Sequence, residues 1–157
     1  MFPNVKVSSR IAAEGARVAA MQLTDYYHRT EDDFVAILPP KPEVSGQARF
    51  FTALQFGMLC LVGDLVGAGI KAPLAARIAR RVMERHSAAP EIEQWAIVAT
   101  ANGNVSTLRY DQAELRTGFV SGARLNFALV VDLKTYADRV ATAIAEAPKV
   151  IGGGDAE

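Results

Sequence analysis

Apolar residues recur at helical spacing over Ile11, Ala12, Ala16, Ala19, Ala20, Leu23, Tyr26 and Tyr27, with Ser8 and Ser9 ahead of them as N-cap candidates. Gly15 either breaks this run into two short helices or is carried inside one long helix, at about 1 kcal/mol relative to alanine. Glu31-Asp32-Asp33 reads as a turn or a cap. Phe34–Leu38 reads as a short strand. Pro39-Pro40-Lys41-Pro42 excludes a helix or a central strand. Residues 47–51 then return as a second strand, so a small β-ribbon is expected around a proline loop.

The next segment, ARFFTALQFGMLCLVGDLVGAGIK at 48–71, is almost uncharged and has Asp64 as its one acid. Thr52 and Gln55 are spaced as a capping box, and Phe51 and Phe56 hold the staple positions around it. The spacing predicts a helix from 52–53 onward, with Leu54, Met58, Leu61, Val62 and Leu65 on one face and Leu59 and Val66 widening it. A helix this apolar is buried on most sides. Gly57 and Gly63 permit another backbone to come close, and Gly67 and Gly69 supply the stop. Pro73 suits the first turn of a further helix. Its buried face is expected to hold Leu74, Ala75, Ile78, Ala79, Val82 and Met83, with Arg77, Arg80, Arg81 and Arg85 on the other face.

Ala88-Ala89-Pro90 reads as a linker, and the pattern then turns to strands. Residues 95–101 and 105–110 flank Asn102-Gly103, a hairpin signal. Residues 124–131 make a third strand, and Leu133, Tyr136, Ala137, Val140, Ala141 and Ile144 mark a final helix. Residues 148–157 read as a flexible tail.

Composition adds limits. The chain has 157 residues, half of them apolar, and 17 basic residues balance 17 acidic ones. The distribution is uneven. Lys71 and the four arginines outweigh Asp64 and Glu84 in 51–90, whereas residues 91–157 carry six basic and nine acidic side chains. Cys60 is the single cysteine, which excludes an internal disulfide or a multi-cysteine metal site. Its apolar neighbours mark it as a buried thiol. The N-terminus lacks the basic-then-apolar pattern of a signal peptide. Gly57, Gly63, Asp64, Gly67 and Gly69 interrupt the run from 50 to 70, which argues against a membrane span. A cytoplasmic protein is the simplest expectation.

Catalytic motifs are hard to find. His28 and His86 are the two histidines and stand in different segments, where surface or capping roles are the ordinary reading. Gly67-Ala68-Gly69 lacks the rest of a dinucleotide fingerprint and follows a helix. No metal-ligand cluster or nucleotide loop is evident, so the expectation is a protein that is not an enzyme and takes no cofactor or metal. The arginine row is either a solvated helix face or a surface turned toward phosphates or a partner.

Leu23-Thr24-Asp25-Tyr26-Tyr27, Pro39-Pro40-Lys41-Pro42, Arg49-Phe50-Phe51-Thr52 and Asp64-Leu65-Val66-Gly67-Ala68-Gly69-Ile70 occur in that order. This order resembles the MerR-type winged-helix DNA-binding domain, in which a helix-turn-helix is followed by a wing, an Arg-aromatic pair and two more helices. The resemblance covers a little over half the chain and is best over 48–83. It implies an α+β protein. A MerR-like winged helix-turn-helix at 5–86 would precede a module at 91–147 of about three antiparallel strands and a C-terminal helix, for dimerisation or effector binding. It further implies a homodimeric regulator of double-stranded DNA, with the 17–29 helix in the major groove. Arg10, Arg17, Gln22, Thr24, His28, Arg29, Lys41 and Arg49 are the DNA-binding candidates. Thr24 stands where an arginine is typical, and Asp25 and the 31–33 acids favour the alternative of a protein-interaction adaptor that has lost DNA binding. A small enzyme with a pocket at the hairpin is a more distant alternative.

Overall fold

The computed structural model describes residues 1–147, so the tail expected at 148–157 lies outside the described residues. A short strand β1 (Lys6–Ser8) precedes helices α1 (Ser9–Ala16), α2 (Ala20–His28) and α3 (Asp32–Ile37). Strand β2 (Phe50–Thr52) runs into α4 (Ala53–Gly67), and α5 (Ala72–Ala88) follows. Strands β3 (Gln94–Thr100) and β4 (Val105–Arg109) come next, then two 3-10 turns, β5 (Phe119–Val120), β6 (Ala123–Asp132) and α6 (Leu133–Glu146). The protein is a mixed α+β structure.

Local signals start and stop several helices. Ser8 is the N-cap of α1, and its hydroxyl accepts from the Ile11 amide at 3.4 Å. Gly15 does not break the helix. A Cβ there would lie 2.3 Å from the Phe56 ring, so glycine lets α4 pack against α1. The break comes at Arg17, whose φ of +56° ends α1. At α4 the Thr52 hydroxyl accepts from the Gln55 amide at 3.1 Å, and the Gln55 side chain accepts from the Thr52 amide at 2.9 Å. Phe51 and Phe56, on either side of that cap, are both fully buried. At the other end Gly69 takes φ +94°, and the Ile70 amide reaches back to the Leu65 carbonyl at 3.0 Å, which closes the helix with a Schellman turn.

The β-ribbon expected from 34–38 and 47–51 does not form. Phe34–Leu38 belongs to α3 and its cap, not to a strand. Asp32 and Asp33 sit in the first turn, where carboxylates favour a helix. Phe34 and Ile37, each 1% exposed, are three residues apart and reach the core together, with Phe34 stacked on Tyr26 at 4.9 Å. The partner of β2 is β1, paired antiparallel with Val7 opposite Phe51. On α5, Leu74 is exposed and Ala76 takes the buried position. The expected 17–29 helix is shorter, Ala20–His28.

The sheet has four strands where three were expected, in the order β4-β3-β6-β5, all antiparallel. The extra strand, β5, has two residues. Gly103 supplies φ +83° in the turn between β3 and β4. Trp95, Ile97 and Val131 enter the main core from one sheet face, while Ala96 and Val98 on the other pack with Ala113 and Val120. Helix α6 returns across α4 and α1 and buries Leu133, Ala137 and Val140. The main core thus includes residues from both sides of Pro90. No helix among the described residues is long and apolar enough to cross a membrane.

Candidate functional site

Helices α1 and α2 are joined by Arg17, Val18 and Ala19. Val18 is buried, and its amide donates to the Ala13 carbonyl at 3.0 Å. Leu23 and Tyr26 turn α2 toward the core, which leaves Thr24, Asp25 and His28 exposed. The Thr24 hydroxyl donates to the Ala20 carbonyl at 3.0 Å, and the Gln22 amide group donates to the Tyr26 hydroxyl at 2.8 Å. Both side chains keep an oxygen lone pair for an outside donor.

The C-terminal end of α2 and the loop after α3 enclose a cleft of roughly 440 Å³, lined in part by Tyr27, His28, Arg29, Lys41 and Arg49. Four of the eight expected site residues therefore meet in one place. Tyr27 organises it. The Arg49 guanidinium lies 3.9 Å from the centre of the Tyr27 ring, within cation–π range. Ser9 Oγ is 2.9 Å from the Tyr27 hydroxyl and donates to the Arg49 carbonyl at 3.1 Å. Burial raises the Tyr27 phenol above its ordinary range, against the Ser9 hydrogen bond and the Arg49 charge. The β1–β2 pairing brings Arg49 here, because it lies immediately before β2. Phe50 is exposed and Phe51 buried, so Phe51 is the aromatic that locks the loop to the core.

Charge in the cleft is uneven. Arg29 is held by Asp25 and Glu31, each at 3.4 Å, and lies over the Phe34 ring. Lys41 and Arg49 form no ion pair among the described residues. Arg10 lies elsewhere. It is paired with Glu14 and lines a separate groove beside Ala13, Val18 and Leu23. Arg17 stands at the α1–α2 turn, exposed. The arginine row of α5 is mostly used within the chain. Arg77 and Arg80 pair with Asp33, Arg80 also with Glu84, and Arg81 donates to the Val105 carbonyl at 3.1 Å.

Sequence reasoning missed Tyr27 and Ser9 as parts of this site. The Tyr26-Tyr27 doublet was the available signal, since adjacent residues at a helix end point in different directions. A second polar cluster, around Asp64, tethers α6. Arg139 Nη1 bonds both Asp64 oxygens, and the Tyr136 hydroxyl donates to Asp64 at 2.9 Å. Burial and the Asp64 carboxylate raise the Tyr136 phenol. Beside it, burial pushes the Cys60 thiol up to about 12, so it stays protonated and inert as a nucleophile. No group of three or more potential metal ligands occurs among the described residues.

Fold and cleft together define a mixed α+β protein whose small helical unit presents a cationic, tyrosine-backed cleft. The chain matches no protein-family model and no curated protein.

Proposed function

We propose that this chain is a MerR-like transcriptional regulator, not an enzyme, that binds double-stranded DNA in the cytoplasm as a homodimer. The observation that carries the reading is the stack of Arg49 on Tyr27, made by a strand–helix–turn–helix unit whose first strand pairs back with β2. This seats the loop at 39–49 beside the end of α2, as a wing sits beside a recognition helix. Residues 5–86 form the DNA-binding unit. Helix α2 enters the major groove with Gln22, Thr24 and His28 toward base edges. Arg10, Arg17, Arg29, Lys41 and Arg49 serve the phosphates. Residues 91–147 serve as the dimerisation or effector module.

Fluorescence polarisation with pooled genomic DNA at several salt concentrations tests this. The wild type should bind with a steep salt dependence. Replacing Lys41 and Arg49 with alanine should weaken binding to every fragment and flatten the slope by about one per lost contact. An unchanged slope in that variant would remove the loop from the interface.

One observation favours a second reading, a protein-interaction adaptor on the same scaffold. Arg29 is neutralised by Asp25 and Glu31, which puts two carboxylates near the expected phosphate path. Absence of any salt-dependent DNA binding would select it.

A further inference from the structure

We propose that the groove between α5 and β4 is a binding site for a phosphate monoester, held by Arg81, Arg85 and Thr107. It shares no residue with the Arg49 cleft and does not depend on DNA binding.

Strand β4 is the outer strand at one edge of the sheet. The Thr100 amide donates to the Asn104 carbonyl at 3.0 Å, and the same register pairs Val98 with Ser106 and Ala96 with Leu108. In an antiparallel ladder the direction alternates, so the backbone groups of Val105 and Thr107 point away from β3, toward the open edge. Helix α5 lies along that edge, where Arg81 Nη1 donates to the Val105 carbonyl at 3.1 Å. Helix and strand enclose a groove of roughly 490 Å³, lined in part by Arg81, Glu84, Arg85, Val105 and Thr107.

Thr107 is the residue that folding leaves unexplained. It stands opposite Ile97, on the sheet face turned toward the main core, and is 5% exposed. Its hydroxyl is buried and has no hydrogen-bond partner among the described residues. A buried hydroxyl without a partner destabilises a fold, and valine would occupy the position without that penalty. The hydroxyl and the outward amide of the same residue are two donors at one side of the groove.

The opposite side supplies charge. Arg85 is exposed and forms no ion pair among the described residues, and Arg81 meets a neutral carbonyl there. Glu84, the acid of the groove, is engaged by Arg80 at 2.9 Å. Four residues place the two guanidinium groups one helical turn apart, about 6 Å along the axis. A phosphate, with three terminal oxygens in a tetrahedral array, bridges two such forks and keeps an oxygen for Thr107, whereas the planar pair of a carboxylate is satisfied by one fork. On binding, Arg81 exchanges the Val105 carbonyl for the anion, which uncovers the Thr107 hydroxyl behind it. The groove extends beyond the size of a phosphate, so the ligand carries an organic part. Because α5 belongs to the helical unit and β4 to the sheet, the bound anion ties the two together.

Nuclear magnetic resonance of the full chain, following the amides of Val105 and Thr107 at constant ionic strength, tests the site. The probes are inorganic phosphate, glycerol phosphate and acetate. Both phosphates should shift these amides saturably, glycerol phosphate at the lower concentration, and acetate should not. Arg85→Gln, at an exposed position, should weaken glycerol phosphate binding about tenfold. Thr107→Val should weaken it by about as much and yet melt at a higher temperature than the wild type, which a purely structural threonine would not do. Replacing Lys41 and Arg49 with alanine should leave these shifts unchanged. Amides that do not respond, an equal response to acetate, or undiminished binding by folded Arg85→Gln overturns the site. Equal affinity for the two phosphates overturns the monoester as the ligand.

Discussion

Arg139 grips Asp64 with one terminal nitrogen at 2.9 and 3.1 Å and donates its Nε to the Gly15 carbonyl at 3.0 Å. One side chain from α6 thus joins α4 and the last turn of α1. Asp64, the single acid in an otherwise apolar helix, is explained by this tether. Asp64→Ala should cost about 1–2 kcal/mol, because the Arg139 and Tyr136 bonds are lost but Asp64 is part-exposed and screened. Arg139→Ala should cost about 2–3 kcal/mol, since a backbone carbonyl loses its partner too. Urea unfolding of both single variants and the double variant checks this. A double-variant cost equal to the sum of the two would mean that the pair is uncoupled.

Two glycines of α4 should respond oppositely to alanine. A Cβ at Gly63 would lie 2.7 Å from the Ala16 carbonyl oxygen, so Gly63→Ala must push α1 away and should cost about 1–3 kcal/mol. Gly67 has open space around it, and Gly67→Ala should be neutral or stabilise by up to about 1 kcal/mol. Thermal melts of the two variants give the signs directly.

Arg17 holds a left-handed backbone with φ +56°, where glycine is the less strained residue. Arg17→Gly should therefore stabilise the fold by about 0.5–1 kcal/mol. If Arg17 meets a phosphate, the same change should weaken DNA binding and flatten the salt slope by about one. Opposite movement of stability and affinity is the expected signature. A gain in stability with unchanged affinity would leave Arg17 outside the interface.

His86 is 8% exposed, its ring edge-on to Phe2 with centroids 5.6 Å apart. Burial, and then the nearby N-terminal ammonium, lower its pKa below the ordinary 6.5. The unfolded chain thus takes up the proton first as pH falls. The stability from keeping His86 neutral is complete above 6.5 and is lost as pH drops through it toward the lower folded value. His86→Gln should make the melting temperature less sensitive to pH as the pH falls through 6.5. Parallel wild-type and variant curves over that window would contradict this.

Several features of the fold were legible along the chain because their causes span a few residues. Thr52 and Gln55 satisfy each other's amides within one turn, so the start of α4 follows from four consecutive residues. Gly69 stops the same helix because only a residue tolerant of positive φ closes that turn. Asn102-Gly103 between two β-prone runs marked the β3–β4 hairpin for the same reason. The alternation after Pro90 and the periodicity from Leu133 likewise located β3, β4, β6 and α6.

Tertiary contacts decided the rest. Phe34–Leu38 is apolar and short, and such a run fits a strand or a helix equally well by itself. It is helical because Phe34 must stack on Tyr26 while Ile37 reaches the same core. The choice of β1 as partner of β2, which seats Arg49 on Tyr27, depends on groups far apart in the chain. The grip of Arg139 on Asp64 joins two helices whose separate patterns contain no sign of it. Local backbone chemistry therefore determined where some elements begin and end, as at the two ends of α4 and the β3–β4 turn, since capping and turn energies act between near neighbours. Their pairing, and with it the cleft, came from burial and hydrogen bonding between distant residues, which are satisfied only once the whole core has closed.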